Sequence, residues 1–391
     1  MKVFLVNRFA GGRRTPTGRM LGDVAWELSR RGVDVEVLCS SAAYVDDEVS
    51  LPASLVTRNL GAAKGPRWWL WATFWLHLAW LLPRLGRGPC LLMTDPPFQP
   101  LAALPAWLLG RRGFVLWTMD LYPEALAASG MLESRGWTYR GLWWLNDLGM
   151  RSLQGLVVLG ACQQRRLQQY PGLAQAWAES RLVSPWDLRP LDSVPRAENP
   201  WIKSQGLQGK RLAIYAGNLG QGHEFADWVQ AACLMHEQGR EDWHWCFVCR
   251  GARLPELRSK VADLPNVTCF DYAPSDQESA LLWAADVHLI SMGEGWQGVI
   301  VPSKLQGALK TASPILYLGP RESATAQQIL ALERGLVLPL GCGGQQLVEA
   351  LDELGAQGPA AHLVEACDGG PAAVVDLLMR QGAQELWVRQ S

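Results

Sequence analysis

The chain has almost no net charge, because 36 lysines and arginines nearly balance 37 aspartates and glutamates, for a formal charge of −1. Proteins that hold nucleic acid need an excess of positive charge to neutralise phosphates, so this balance argues against a nucleic-acid partner. Charged residues make up 19% and hydrophobic residues 49% of the 391 residues. This composition is typical of a globular protein, and the length suits two domains.

Metal-binding and disulfide signatures are also missing. The six histidines lack mutual ligand spacing and no Asp-x-Asp pair occurs, so we expect no metal site. The nine cysteines follow no framework spacing, which is typical of a reducing compartment. The opening MKVFLVNRF has a short apolar run, which predicts a first β-strand and not a secretory leader.

Alternating strand and helix patterns predict an α/β protein with parallel sheets. The pattern runs through residues 1–190, is interrupted by the four-proline stretch 184–200, and restarts over 200–368. We therefore predict two Rossmann-like domains joined by a linker, with a cleft between them and a final helix over 371–391. In such sheets ligands bind at the carboxyl ends of the strands, so the candidate residues are sought there.

Tryptophan is unusually frequent, with 20 residues, many of them within PRWWLWATFWLHLAWLLPRL at 66–85. The stretch predicts a long helix. It could be a buried helix, a surface that rests on a bilayer through its tryptophans, or a membrane span, although His77 and Pro83 make a span short.

The clearest motif is YAGNLGQGHEF at 215–225, where a strand runs into a glycine-rich turn. Glycines let backbone N–H groups approach an anion, although an ordinary tight turn would also use them. The turn matches neither the G-x-G-x-x-G dinucleotide fingerprint nor a P-loop. A helix is predicted to begin near His223, which is either a helix-start residue or a ligand contact. The candidate phosphate contacts are Gly217, Asn218, Gly220 and Gly222.

Two cations follow other strands of the second domain. Arg250 ends a predicted strand and would be either a phosphate contact or a solvated loop residue. Pro302 and Ser303 predict a helix start with Ser303 as its cap, which would place Lys304 at an anion-attracting helix end.

The first domain offers one carboxylate and one loop. Asp120 ends the strand pattern FVLWTMD, where it would be either a catalytic carboxylate or a turn cap. Gly11, Gly12 and Arg13 follow the first strand and would either receive an acceptor or only form a loop.

Taken together, these motifs resemble the family 4 glycosyltransferases of the GT-B fold (group 1 type), in the envelope-polysaccharide branch that includes colanic-acid and O-antigen enzymes. The resemblance covers nearly the whole chain and rests on several quoted segments: NRFAGG, TDPPF, MDLYPEAL, SPWDLRPL, YAGNLGQGHEF and VPSKLQGALKTASPILYLGP.

The resemblance implies a retaining transferase that moves a hexosyl or N-acetylhexosaminyl group from a nucleotide-sugar to a glycan or lipid-linked acceptor. It implies a site without a metal or other cofactor and a C-terminal helix that returns to the first domain. It also implies a cytoplasmic protein that is either free or peripheral on the inner membrane.

The resemblance also assigns roles to residues. It implies that the glycine turn and His223 bind the donor, that Arg250 lies near the nucleotide, and that Ser303 and Lys304 hold phosphate or ribose. Glu294 and Asp120 would be catalytic, the first near the donor sugar and the second facing the acceptor. Gly11, Gly12 and Arg13 would lie on the acceptor side.

One position departs from the family pattern. Many members carry a second glutamate that binds the ribose, and here Gly307 occupies that helix position. This departure leaves open the alternative of a non-catalytic nucleotide-sugar-binding partner. A second alternative is a nucleotide-sugar epimerase, because such enzymes can share the two-domain architecture.

Overall fold

The computed structural model describes residues 1–11, 15–40, 51–52, 55–358 and 370–387. These residues form two compact units. The first comprises the described parts of Met1–Trp186, Gly298–Val301 and Cys367–Ser391, and the second those of Asp187–Gln297 and Pro302–Ala366. The chain therefore enters the first unit once more, for four residues, between two segments of the second.

The first unit contains a seven-stranded sheet in which every pairing is parallel. Its strands are β1 (Lys2–Val6), β2 (Asp34–Ser40), β3 (Val56–Leu60), β4 (Cys90–Met93), β5 (Phe114–Trp117), β6 (Gly155–Val158) and β7 (Ser180–Leu182). The order across the sheet is β3-β2-β1-β4-β5-β6-β7. Most of these strands are continuous runs of buried residues, as expected for a parallel sheet covered on both faces.

Helices connect these strands. They are α1 (Pro16–Arg30), α2 (Arg67–Leu81), α3 (Gln99–Leu108), α4 (Glu124–Ala128), α5 (Trp137–Met150) and α6 (Ala161–Leu167). The helix that ends the described chain, Gly370–Trp387, packs against α1 within the first unit, and Arg31 after α1 pairs with Asp376 on it. A cluster of fully buried aliphatic residues joins α1, that last helix and one face of the sheet.

The second unit repeats this plan with six parallel strands. They are β8 (Arg211–Asn218), β9 (Trp243–Arg250), β10 (Val267–Phe270), β11 (Val287–Ser291), β12 (Ile315–Leu318) and β13 (Gly335–Leu338). Its helices are α7 (Pro200–Ser204), α8 (Ala226–Glu237), α9 (Leu254–Lys260), α10 (Glu278–Ala284), α11 (Lys304–Leu309), α12 (Ala324–Ala331) and α13 (Gly344–Gln357). The Gly370–Trp387 helix of the first unit is therefore α14. The prediction of parallel sheets with helical crossovers is confirmed.

The strand order of the second sheet is β10-β9-β8-β11-β12-β13. The connections from β8 lead outward in one direction and those from β11 in the other, so the order reverses between these two strands. Loops at such a reversal separate and leave a crevice at the carboxyl ends of the strands, where open α/β sheets bind ligands. In the first sheet the same reversal lies between β1 and β4.

The tryptophan-rich segment forms α2 and a 3-10 turn, Leu82–Arg84. Phe74 and Leu78 lie on a buried side of this helix, whereas Trp68 and Trp80 are 67% and 55% exposed on the other. The helix is therefore buried on one side only. No helix within the described ranges combines the length and the apolar character that crossing a bilayer requires.

Two local predictions were wrong. The helix after the glycine turn begins at Ala226 and not near His223, because three residues continue the turn first. Ser303 does precede α11, but its side chain makes no capping hydrogen bond. Since α11 has only six residues, Lys304 must act through its own charge and not through a helix dipole.

Candidate active site

The glycine turn follows β8, beside the reversal in strand order. Gly217 has a φ of +128°, and a Cβ built on it would lie 3.1 Å from Cε of Lys304. Gly251, which follows β9, has a φ of +138°, and its Cβ would lie 2.3 Å from the carbonyl oxygen of Leu219. Both positions require glycine, because a side chain would be strained and would push the turn and the lysine apart.

The turn presents backbone donors. Within the described chain, the N–H groups of Gly220, Gln221 and Gly222 donate no hydrogen bond to protein. The flanking groups are used, since Leu219 N–H donates to the Arg250 carbonyl at 2.7 Å and His223 N–H to the Gly220 carbonyl at 3.2 Å. Three successive free donors on a turn at a strand end can hold an anion.

His223 is buried, with 7% of its surface exposed, and its ring connects two elements. Its Nδ1 lies 2.7 Å from the carbonyl oxygen of Ser291, the last residue of β11. A carbonyl can only accept, so Nδ1 carries the proton and Nε2 is an acceptor. Burial, followed by the charge of Lys304, lowers the pKa of His223 to about 3, which keeps the ring neutral.

Lys304 opens α11 and extends across the turn. Its Nζ lies 2.9 Å from Nε2 of His223 and 5.0 Å from the centre of the Tyr215 ring. Among the described residues, no carboxylate lies within ion-pairing distance of this ammonium. Desolvation therefore lowers the pKa of Lys304 to about 7, only slightly opposed by the Cys249 thiol. An ammonium that has left water without gaining an anion suits the binding of an anionic ligand.

A second basic group beside the turn was not singled out in the sequence. Arg253 donates to the carbonyl of His223 and lies 3.0 Å from the Glu224 carboxylate. The backbone N–H of Glu224 donates to the Ser291 hydroxyl at 3.1 Å. These contacts connect the loop after β9, the glycine turn and β11. Only the strand order could have suggested them, because parallel neighbours end at the same edge of a sheet.

The other predicted donor residues lie around this centre. Arg250 is exposed, pairs with Asp271 and lies 5.3 Å from the centre of the Tyr272 ring. Glu294 is exposed and begins a 3-10 turn, Glu294–Trp296, after β11. A Cβ on Gly307 would contact Leu282 of α10 at 3.6 Å, so a longer side chain there would first meet α10.

In the first unit, buried contacts hold the backbone on both sides of Asp120. Thr118 donates to Oε1 of Gln163 at 2.6 Å, and Gln163 donates to the carbonyl of Met119 at 2.8 Å. On the other side, Leu121 N–H donates to the Val299 carbonyl at 2.9 Å. Asp120 is thus fixed at the carboxyl end of β5.

Asp120 is an exposed residue in the first unit. Desolvation raises the pKa of Asp120 to about 6, and the like charge of Asp95 after β4 adds to the shift. Asp95 itself lies 3.1 Å from Nε of Arg8, which follows β1. A carboxylate that is ionised at neutral pH but has a raised pKa can accept a proton or hydrogen bond from a hydroxyl.

The acceptor-side loop is described only at its start. Gly11 is buried with a φ of +70°, and its N–H donates to the Gly18 carbonyl at 2.8 Å. Gly12 and Arg13 lie outside the described residues. Among the described residues, no group of three or more potential metal ligands comes together.

The comparisons agree with this architecture. No protein-family model matches the sequence. The probable glycosyltransferase WbjE of Pseudomonas aeruginosa is 24% identical over 335 residues, which cover 81% of this chain and 80% of WbjE.

Solved structures also resemble this chain along nearly its whole length. WaaG, a glycosyltransferase involved in lipopolysaccharide biosynthesis, has a TM-score of 0.62 at 15% identity, covering 98% of this chain and 95% of WaaG. The E. coli trehalose-6-phosphate protein bound with UDP-2-fluoro glucose has a TM-score of 0.60 at 10% identity, covering 100% of this chain and 98% of that one. The predicted GT-B fold and the prediction of a glycosyltransferase are confirmed.

Proposed function

We propose that this chain is a retaining glycosyltransferase of the family 4 type. It transfers a hexosyl or N-acetylhexosaminyl group from a nucleotide-sugar to a glycan or lipid-linked acceptor in cell-envelope polysaccharide synthesis. The relation to WbjE and the likeness to WaaG support the setting, and the likeness to a protein that holds UDP-2-fluoro glucose supports the donor class.

The observation that carries the proposal is the Lys304 ammonium. It lies 2.9 Å from Nε2 of His223, the residue that directly follows three N–H groups without a protein acceptor, and no carboxylate among the described residues neutralises it. A nucleoside diphosphate has the negative charge and the oxygen acceptors that this arrangement lacks.

The same groups would stabilise the departing nucleotide. When the glycosidic bond to the diphosphate breaks, negative charge develops on the leaving phosphate oxygen. The ammonium of Lys304 is held beside the end of the glycine turn by His223, and we propose that it and the N–H groups of Gly220 to Gly222 stabilise that charge. We propose that these charges replace a metal ion, and that Glu294 lies near the donor sugar.

On the first unit, Asp120 is the group proposed to act on the acceptor. With a pKa of about 6 it is largely ionised at pH 7, so it can orient the acceptor hydroxyl by accepting its hydrogen bond. The buried contacts of Thr118, Met119 and Leu121 keep this carboxylate in place.

We further propose that the first unit contacts the inner membrane, where a lipid-linked acceptor would be found. The neighbouring helices α2, α3 and α5 all leave large apolar side chains exposed. The most exposed are Trp68, Trp69, Leu76 and Trp80 on α2, Leu108 and Leu109 at the end of α3, and Trp137, Trp144 and Leu145 on α5. The exposed Arg84 and Arg140 lie beside them, which suits an interface rich in tryptophan facing acidic lipid.

The decisive experiment measures the thermal shift of the purified chain with a panel of nucleotides and nucleotide-sugars, with and without a chelator. A ligand at 100 times its dissociation constant stabilises the bound fold by about 2.7 kcal/mol, which is easily detected. We expect one nucleotide-sugar to shift the transition equally in both conditions. No shift with any nucleotide would contradict the donor site, and a shift abolished by chelator would contradict the metal-independent site.

Variants connect the shift to the site. We expect Lys304→Ala to weaken donor binding roughly 10–100-fold, the effect of losing one charged hydrogen bond. Lys260→Ala is the matched control, because that lysine is exposed and paired only with Glu256, four residues earlier in α9. Donor consumed without acceptor would indicate an epimerase, and donor bound without transfer a non-catalytic partner.

A further inference from the structure

A groove in the first unit lies away from the residues of the proposed transfer site. It has a volume of about 450 Å³ and lies where the amino end of β1 meets the end of α2. Phe4 and Leu81 contribute apolar surface to it, and Trp80 lines it from α2. Since ligands of the parallel sheet are expected at the opposite, carboxyl ends of the strands, this groove is not part of the proposed transfer site.

The groove has an excess of positive charge. Lys2, Arg58 and Arg84 line it, and the one carboxylate among its lining residues is Glu36. Glu36 is 2% exposed and holds two of these cations, with 2.8 Å to Lys2 and 2.7 Å to Arg58. The pairing fixes both cations and leaves the groove with two uncompensated positive charges.

The third cation is oriented by a tryptophan. Arg84 donates to the Trp80 carbonyl at 2.6 Å, and its guanidinium lies 4.2 Å from the centre of a Trp80 ring. Trp80 is 55% exposed and belongs to the same outer side of α2 as Leu76. The groove therefore combines fixed cations, an apolar floor and an aromatic side chain that continues into the exposed apolar surface.

We propose that this groove binds the phosphate headgroup of an anionic phospholipid. The headgroup phosphate would lie against Arg84 and Arg58, with the glycerol and upper acyl carbons against Trp80. Cations hold a phosphate by charge-assisted hydrogen bonds, and an interfacial tryptophan suits the adjoining boundary of headgroup and acyl chain. The proposal rests on the membrane contact under the proposed function and makes that contact selective for acidic lipid.

The test is co-sedimentation of the full chain with vesicles of phosphatidylcholine alone or mixed with phosphatidylglycerol, at physiological salt. We expect Arg84→Gln to weaken binding to the mixed vesicles about tenfold or more. Arg87→Gln is the matched control, because it removes the same charge from an exposed residue that does not line the groove. Arg87→Gln should weaken vesicle binding only about fivefold, which is the effect of removing one charge near an anionic surface. Equal losses in the two variants would overturn the proposal.

A diffuse attraction and a built headgroup site predict opposite effects of Glu36→Gln on vesicle binding. A diffuse electrostatic attraction predicts tighter binding to anionic vesicles, because a negative charge has been removed. A built headgroup site predicts weaker binding, because Lys2 and Arg58 lose the carboxylate that holds them. Unchanged circular dichroism and thermal transition would show that the variant is folded. Should it not fold, the comparison of Arg84→Gln with Arg87→Gln decides alone.

Two further measurements distinguish a lipid headgroup from a soluble phosphate ester, and the groove proposal from the proposed membrane contact. If Arg84→Gln weakens binding of soluble glycerol phosphate but affects vesicle binding no more than Arg87→Gln, the ligand is a soluble phosphate ester and the lipid proposal is wrong. If the wild-type chain binds mixed vesicles and no variant differs from the control, the groove proposal is wrong while the membrane contact stands. If the wild type binds no vesicle, both are wrong, although donor binding in the thermal-shift experiment is unaffected.

Discussion

Replacing Lys304 by methionine should make the ligand-free protein more stable and the donor site inactive. Methionine keeps most of the aliphatic chain that passes Gly217, but it removes the ammonium. Burial lowers the pKa of Lys304 from 10.5 to about 7, so the folded state holds this proton far less tightly than the unfolded chain does. A binding residue can impose such a penalty, whereas a residue kept for stability cannot.

The magnitude follows from the pKa shift. Each unit corresponds to about 1.4 kcal/mol, so a lysine that titrates near 7 when folded lowers the free energy of unfolding at pH 7 by about 4 kcal/mol. The methionine variant regains this free energy of unfolding. It also leaves Nε2 of His223 without its donor, which costs about 1–3 kcal/mol. We therefore expect a net gain of about 1–3 kcal/mol in the free energy of unfolding.

The gain should depend on pH in a defined direction. Between pH 7 and 10.5 the unfolded chain binds more protons at this lysine than the folded chain does, so the wild type gains stability as the pH rises through this range. The advantage of the variant should shrink by about 2 kcal/mol from pH 7 to pH 9. Below pH 7 it should be nearly constant.

Hydrogen exchange measured by mass spectrometry on peptides from β8 and β11 reports this stability for the second unit alone. Lys310→Met is the matched control, because Lys310 lies just after α11 but pairs with the buried Asp187 at 3.1 Å. It should destabilise the unit. A Lys304→Met variant that is less stable at pH 7, or that binds the donor as well as the wild type does, would refute the reasoning.

Three further predictions concern neighbouring groups. His223→Gln should keep donor affinity within a few-fold, because an amide can both donate to the Ser291 carbonyl and accept from Lys304. His223→Phe should weaken donor binding about tenfold, because it can do neither. Calorimetry would measure both affinities, and equal values would contradict the role of His223 in orienting Lys304. The pH profile of kcat/KM should fall below about pH 6, because Asp120 must be ionised, and Asp95→Asn should move this acid limb to lower pH; an unmoved limb would assign it to another group. Gly251→Ala should reduce donor affinity more than acceptor affinity, because its Cβ would press on the backbone of the glycine turn. Rates of product formation at varied donor and acceptor concentrations would measure both affinities, and a larger loss of acceptor affinity would contradict donor binding by that turn.

The sequence alone was sufficient for the plan of the molecule. Short apolar runs alternating with helical patterns predicted the parallel sheets, because a strand covered on both faces must be apolar along its length. Glycines at the end of β8 and the lysine after Pro302 predicted an anion site, because glycines let backbone N–H groups approach an anion and a lysine supplies the opposite charge. The edge strands β3, β7 and β13 were not predicted. The residues of β3 and β7 lack the apolar run, and β13 is only a four-residue run of half-buried residues.

The chemistry of that site was decided only by tertiary structure. The tautomer of His223 depends on the carbonyl of Ser291, a residue 68 positions away, and the lowered pKa of Lys304 results from burial by residues distant in the sequence. The excess charge of the groove likewise arises because the fold brings Lys2, Arg58 and Arg84 to one groove whose lining holds a single carboxylate, Glu36. Pattern along a chain determines which faces are buried, whereas the charge balance of a site depends on which distant groups the fold brings together.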